Sequence, residues 1–279
     1  MAKDGFIADV ISITMPNRSF TACLALVAGM LMAGHFDPVF IVFGVLTCIC
    51  VYCTYAVFNN ICDVEGDKIN DPQRPLARGS LSLRFAWTLM ATLAVAGVIF
   101  SLVVSWVFAL SNVLYVFFGV IYSKFTKSMG MLSYMTLVTT HIVTPMMIGY
   151  LLFHPLDAKI LFAAAFMFVT EIFAFSIKDY KDVEGDRKTG MKTLPVQIGV
   201  EEAARITFIG LCLPIAVVWL PWKILDLSNA FLVIYLIAIA IRISFGARLL
   251  ANPSPDNAKV ILNNFRLVLL IQMIAWCFC

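Results

Sequence analysis

Nine apolar runs of membrane length, laid almost end to end at 13–34, 39–60, 85–104, 107–123, 131–153, 158–177, 203–220, 229–249 and 259–278, leave this chain few ways to fold. A helix needs roughly 17–25 mostly apolar residues to cross a bilayer. Within lipid each backbone N–H and C=O must be satisfied inside its own segment, so such runs are helices. With 61% hydrophobic and 13% charged residues, the composition excludes a soluble domain, whose apolar share is usually about 45–50%. The expected fold is an all-α integral membrane protein of nine transmembrane helices. Only Ser105-Trp106 separates the third run from the fourth, so that division carries the count.

Lysine and arginine then fix an expected orientation. Lys68, Arg74, Arg78, Arg84, Lys124, Lys127, Lys178, Lys181, Arg187, Lys188, Lys192, Arg248 and Lys259 fall on one side of the nine-span plan, and only Lys159 and Lys223 on the other. By the positive-inside rule the crowded side is cytoplasmic, and with it the amino terminus. The membrane is the plasma membrane of a prokaryote or an endomembrane of a eukaryote. Residues 1–12 carry Lys3, Asp4 and Asp9 and resemble no cleavable signal. Cys48, Cys50 and Cys53 lie inside a span without a second ligand pair, which reads as packing of small thiols rather than a metal site.

Against this background one acidic string stands out. Asp63-Val64-Glu65-Gly66-Asp67 recurs as Asp182-Val183-Glu184-Gly185-Asp186, each copy at the cytoplasmic end of an even-numbered span and each followed by a basic loop. The recurrence divides a single 1–279 domain into two pseudo-repeated halves, about 13–130 and 131–279, each delivering acids to a shared site, as repeat-built membrane proteins do. Asn59, Asp63 and Asp67 are four apart and form one oxygen ridge on a helix. Asp182 and Asp186 repeat the spacing, with Asp179 one turn earlier. Carboxylates stacked this way repel unless cations lie between them. An all-oxygen set favours magnesium, which keeps waters and bridges to substrate phosphates. Glu65 and Glu184 fall off the ridges and read as solvated. The acid spacing excludes an EF-hand, and no glycine and arginine segment precedes Asp63 as in CDP-alcohol phosphotransferases. Lys68, Arg74, Arg78, Lys178, Arg187 and Lys192 suit a diphosphate, although lipid headgroups or the orientation rule account for such cations equally well.

The strings Asn59-x3-Asp63-x3-Asp67 with Asn70-Asp71-Pro72-Gln73-Arg74-Pro75-Leu76-Ala77-Arg78-Gly79, and Lys178-Asp179-x2-Asp182-Val183-Glu184-Gly185-Asp186-Arg187-x2-Gly190-x-Lys192-Thr193-Leu194-Pro195, resemble the UbiA superfamily of intramembrane prenyltransferases. The resemblance implies a helical bundle around a central cavity open to lipid. Two or more magnesium ions would hold the diphosphate of a polyprenyl donor whose tail lies in that cavity. Carried over, Asn59, Asp63 and Asp67 hold one ion and Asp182 and Asp186 another, with Asp179 a further candidate. Lys68, Arg74, Arg78 and Lys192 neutralise phosphate oxygens. Tyr122-Ser123-x3-Lys127 resembles another family feature, with Tyr115 two turns earlier. The tyrosine faces can stabilise a carbocation or sit in an interface belt.

Glu171, inside the sixth span, is an ionisable group in the membrane and a functional candidate on that ground. It can accept a proton, bind a polar acceptor, or pair with a group such as His141. Arg18 and Asn17 are candidates for acceptor binding, although an arginine there can also snorkel. Two departures mark the chain. Several acceptor-using branches carry an asparagine soon after the lysine matched by Lys127, and the nearest position here is Tyr134; the archaeal ether-lipid branch often has Arg-Glu before the Lys-Asp of the second motif, where this chain has Ala174-Phe175. The expected function is magnesium-dependent prenyl transfer to a lipophilic acceptor, an aromatic ring or a hydroxyl-bearing lipid, with diphosphate released. A terpene cyclase using the same donor is the enzymatic alternative. A cation channel or transporter is the non-enzymatic one, although its acids belong nearer the midplane. No nucleic-acid partner is expected.

Overall fold

The computed structural model describes residues 3–279; the side chains of Lys3, Asp4, Ile69 and Asn70 lie outside the described set, among them Asn70 of the first motif. Helices α1 (Lys3–Thr14), α2 (Phe20–Met32), α3 (Pro38–Asn70), α4 (Leu83–Val104), α5 (Trp106–Ile121), α6 (Met131–Val138), α7 (Thr144–Leu151), α8 (Ala158–Glu171), α9 (Val183–Lys188), α10 (Leu194–Ile198), α11 (Val200–Val217), α12 (Trp219–Ile224), α13 (Asn229–Ala251) and α14 (Pro255–Trp276) follow in order. Among the described residues, nine helical stretches are long and apolar enough to cross a membrane. The chain is all-α and membrane-spanning, as its apolar runs require.

The expected break between the third and fourth spans is present, and a single serine makes it. Ser105 is extended at φ −170° and ψ 160°; its N–H closes α4 on Ser101, and its hydroxyl accepts from Phe108 N to open α5. Serine suits both tasks because its oxygen takes an N–H that a helix start leaves unpaired. The first span differs from expectation. The helix begins at Lys3, not near 13, and is interrupted at Met15 (φ 48°, ψ 49°). Pro16 is the cause, since the residue before proline is driven out of the helical region. Asn60 of α3 donates to the Ile13 carbonyl, 3.3 Å away, so the interrupted end of α1 is satisfied from a neighbouring helix.

Two compact units result, residues 1–23 with 37–126, and 24–36 with 127–279. In the first, α3 packs on α1, α4 and α5. Its start is set by Asp37, whose carboxylate accepts from Val39 N and Phe40 N ahead of Pro38. At 1.5 Å per residue the 33-residue helix is about 50 Å long against a hydrocarbon core of about 30 Å, so its last three turns, which carry the acids, run past the core. Cys48, Cys50 and Cys53 are buried free thiols in it, as the packing reading requires.

In the second unit the backbones of two helices touch. A β-carbon on Gly29 would lie 1.9 Å from the Met146 carbonyl oxygen, and one on Gly149 1.9 Å from that of Leu26. Small residues at helix crossings are the membrane solution to tight association, where no hydrophobic force separates protein from lipid. Gly29→Ala is therefore expected to push α2 off α7 and lower stability by about 1–3 kcal/mol. Thermal unfolding in detergent checks this; an unchanged midpoint would mean that the crossing is not tight.

Candidate functional site

The first acidic set stands where the sequence puts it, on one continuous helix. Asn59 Nδ2 donates to Asp63 Oδ2 at 2.8 Å, while the buried Asn59 Oδ1 accepts no hydrogen bond. Asp67, 9% exposed, accepts from Arg74 NH1 at 2.8 Å; Arg74 also reaches Asp71, with Nε 3.5 Å away. Glu65 points away, its side chain 84% exposed and paired with Lys68 at 2.7 Å. The structure thus separates the aspartates from the glutamate as the four-residue spacing does, but it turns Lys68 toward Glu65. Arg78, expected on a phosphate, ion-pairs with Asp9 of α1 and donates Nε to Ser80 Oγ at 3.0 Å. Asp9 carries no site signal in the sequence, because its partner lies 69 residues away.

The second set does not lie on one continuous helix, which corrects the expectation. α8 ends at Glu171, residues 174–179 form a 3₁₀ helix, and Asp182 (φ −115°, ψ 9°) precedes the short α9. Only Asp182 and Asp186 share a helical turn, with Asp186 N donating to Asp182 O at 2.8 Å. Asp179 is brought in by the 3₁₀ turn instead. Asp186 is 7% exposed; burial first, then the Asp179 and Asp182 charges, push its carboxyl up to about 6. Lys178 donates to Asp179 at 2.5 Å, and Lys181 pairs with Asp182. Glu184 is 84% exposed and paired with Lys188 at 2.9 Å, off the ridge as expected. Arg187 is exposed in the last turn of α9, and Lys192 is exposed on the loop that follows.

Tyr134, noted in the sequence only as a departure, is a site residue that spacing could not find. Its hydroxyl donates to Asp179 Oδ2 at 2.5 Å, across 45 residues. Among the described residues no three His, Cys, Asp or Glu side chains form a ready-made metal cage. The donors nevertheless fit magnesium, which takes few protein oxygens and keeps waters or phosphate oxygens for the rest. An unpartnered amide oxygen beside Asp63 and a buried carboxyl strained by two neighbouring charges are both relieved by a divalent cation.

Tyr115 and Tyr122 are buried in the first unit, 5% and 7% exposed. Between them α5 meets α3 at Gly119, where a β-carbon would lie 3.0 Å from Tyr55 Cβ. α3 adds Tyr52 and Tyr55, rings 4.7 Å apart, an aromatic contribution that the sequence analysis did not single out. Residues 122–126 widen into a π-helical turn, a distortion common at functional positions. Lys127 is half-buried just beyond it, and Arg18 and Asn17 are exposed on the 3₁₀ turn after Met15.

Glu171 does not pair with His141, whose Nδ1 faces the Leu137 carbonyl at 2.9 Å. It pairs with Arg242 of α13, NH1 to Oε1 at 2.6 Å, both side chains fully buried. Gln272 of α14 donates to the same oxygen at 3.0 Å and to Tyr235 at 3.2 Å. The other arm of Arg242 donates to the Thr170 carbonyl, capping α8 one residue before its end. Charged groups in a bilayer must be paired in this way, so the bonding makes Glu171 a structural anchor for the point where the chain leaves α8 toward Asp179.

The UbiA prenyltransferase family model matches residues 22–270. A digeranylgeranylglyceryl phosphate synthase of Methanocaldococcus jannaschii is 26% identical over 273 residues, covering 93% of this chain and 92% of its own. That of Thermococcus kodakarensis is 30% identical over 217 residues, covering 76% and 77%. Among solved structures, an apo UbiA homolog from Aeropyrum pernix K1 aligns with a TM-score of 0.78 at 17% identity over 92% of this chain and 97% of that one. A UbiA homolog from Archaeoglobus fulgidus bound to GPP and Mg2+ aligns at 0.71 and 15% identity over 96% and 98%. At these identities the structures show a shared fold. The family match extends over most of the chain, and the chain belongs to the UbiA prenyltransferase family of membrane-embedded prenyl transferases.

Proposed function

We propose that this enzyme moves an isoprenoid from a polyprenyl diphosphate to a hydroxyl-bearing glyceryl phosphate lipid, with magnesium and with release of diphosphate. The observation that carries the metal-dependent half is the buried, unpartnered Asn59 Oδ1 beside the Asp63 carboxylate, an oxygen pair that asks for a cation. The acceptor class is favoured by relatives along nearly the whole chain that bear the name digeranylgeranylglyceryl phosphate synthase. Asn59, Asp63 and Asp67 would hold one ion, and Asp182 and Asp186 another. When bound, magnesium supplies positive charge to the departing diphosphate.

The chain's own side chains do the rest. Arg74, Lys178, Arg187 and Lys192 are drawn to phosphate oxygens, and Arg74 can exchange Asp67 for them once a cation satisfies the aspartate. Lys127 is a further cation for the same charge, Lys68 stays on Glu65, and Arg78, held by Asp9, shapes the loop after the first acids. Tyr115 and Tyr122 offer ring faces to the positive charge that develops on the allylic carbon and keep water from it. Arg18, exposed on its turn, is our candidate for a phosphate on the acceptor. The acidic segments and the amino terminus face the cytoplasm, a reading supported by the sorting of lysine and arginine; an amino-terminal epitope protected from protease in sealed right-side-out vesicles but cleaved in inverted ones would agree with it.

The direct test is purified protein with magnesium and geranylgeranyl diphosphate, with and without a geranylgeranylated glyceryl phosphate. Diphosphate release that waits for the acceptor and yields the ether-linked product is expected. A cyclic hydrocarbon formed without acceptor would overturn transfer in favour of cyclisation, and turnover only with an aromatic acceptor would replace the lipid. A pH dependence follows from Asp186. Its carboxyl is raised to about 6, so below that pH a proton occupies it and must leave before a cation binds. Half-saturating magnesium should fall as pH rises from about 5 to about 7. The metal-free protein should show the opposite sense, gaining stability as pH falls through the same window, because neutralising Asp186 removes a desolvated charge. A magnesium requirement flat across this window would show that Asp186 is not a ligand.

A further inference from the structure

Tyr134 is fully buried on α6, and both bonding capacities of its hydroxyl are used. The O–H donates to Asp179 Oδ2 at 2.5 Å, and the oxygen accepts from Leu194 N at 3.2 Å. The other carboxylate oxygen of Asp179 accepts from Lys178 Nζ at 2.5 Å, and that ammonium also stands 5.6 Å from the Tyr134 ring centre. Asp179 is 4% exposed, so neither of its oxygens is turned outward. Asp182, by contrast, has a side chain 39% exposed. The same tyrosine lies where two further cationic segments are tied together. Lys192 N donates to Ser128 O at 3.2 Å, and a β-carbon on Gly130, which starts α6 at φ +53°, would come within 2.7 Å of the Lys192 carbonyl oxygen. Only glycine permits that approach at that backbone angle.

Resting on the diphosphate reading above, we propose that Tyr134 is a positioning residue for the second acidic segment. It holds Asp179, and Asp179 serves as a bridge that aims the Lys178 ammonium rather than as a metal ligand. The chain of donors running from Leu194 N–H through the tyrosine hydroxyl to the carboxylate is polarised in one direction, which strengthens each link in a buried setting. Phenylalanine at 134 would keep the ring and its contact with Lys178 but leave a buried N–H and a buried carboxylate oxygen without their partner, which is costly inside a protein. Lys178 through Asp179, and Lys192 through the nearby Leu194, are thereby registered on one side chain of α6. A tyrosine at 134 then has a physical purpose: it reaches both segments from a single backbone position.

The test uses full-length protein in nanodiscs with geranylgeranyl diphosphate, magnesium and a saturating geranylgeranylated glyceryl phosphate, comparing Tyr134→Phe and Asp179→Asn with the parent. Both variants should raise the donor KM about tenfold, the worth of one charge-assisted hydrogen bond, with kcat nearly unchanged and half-activating magnesium unmoved. An unaltered KM in a folded Tyr134→Phe protein would overturn the proposal. So would a magnesium requirement that rises in Asp179→Asn, since Asp179 would then be a ligand. A purely structural tyrosine would lower the unfolding midpoint without moving KM. Should Tyr134→Phe not fold, Asp179→Asn alone decides by the same readings. If the parent itself consumes no donor, the prenyl-transfer reading fails first; calorimetric binding of magnesium pyrophosphate then reads the bridge, and equal affinity in parent and variants overturns it.

Discussion

Asp63→Asn and Asp186→Asn should each lower turnover by 10²–10³-fold or more, on the order of what loss of one transition-state charge contact costs an enzyme. The two substitutions act differently beneath that shared loss. Asp63 works with Asn59, whose Nδ2 it already accepts, so an amide at 63 keeps the helix ridge and removes only the charge. Asp186 is buried and held up at about 6 by desolvation and by its acidic neighbours. Its replacement by asparagine should therefore raise the unfolding midpoint of the metal-free protein at pH 7 while it removes activity, the trade expected where a site stores unfavourable charge for function. Donor consumption with saturating magnesium and thermal unfolding without it measure the two effects. Activity retained in both variants would remove the metal assignment.

The membrane plan was legible because its cause is local. Length and apolarity of a run decide whether it can span, and Ser105 ends one helix and starts the next with its own hydroxyl. The first acidic set was equally legible, since four-residue spacing is a property of one helix and α3 is a single helix through Asp67. The same spacing misdescribed the second set. There the chain leaves α8 for a 3₁₀ turn, which the sequence does not announce, because the bonds that end α8 come from Arg242, 72 residues away. Interactions at that separation leave no periodic trace.

Tyr134 and Arg242 illustrate two kinds of miss. Tyr134 looks like an ordinary aromatic in an apolar run, and only a folded chain brings Asp179 to its hydroxyl. Arg242 was visible in principle: an arginine inside a stretch such as 229–249 is a signal by itself, since a charge in the bilayer demands a partner. Glu171 was singled out on that ground and its mate was not. Pairing Glu171 with an arginine inside another span would have been the economical reading.

Arg242→Met should destabilise the protein by about 3–5 kcal/mol, the cost of leaving one member of a buried ion pair without the other. Glu171 would retain only the Gln272 amide at 3.0 Å and the distant Thr170 hydroxyl at 3.5 Å, and the Thr170 carbonyl would lose its guanidinium cap. Adding Glu171→Met should restore most of the loss, because an apolar pair of similar volume needs no compensation in a low-dielectric interior. Unfolding of the parent, both single variants and the double in detergent gives the coupling between the two positions as a cycle. Additive losses would mean that the two side chains act independently. Strong coupling together with a raised donor KM in the restored double variant would show a further consequence. The arginine cap on α8 would then be what directs the chain into the 3₁₀ turn that carries Lys178 and Asp179, so that an ion pair inside the membrane sets the geometry of the diphosphate end.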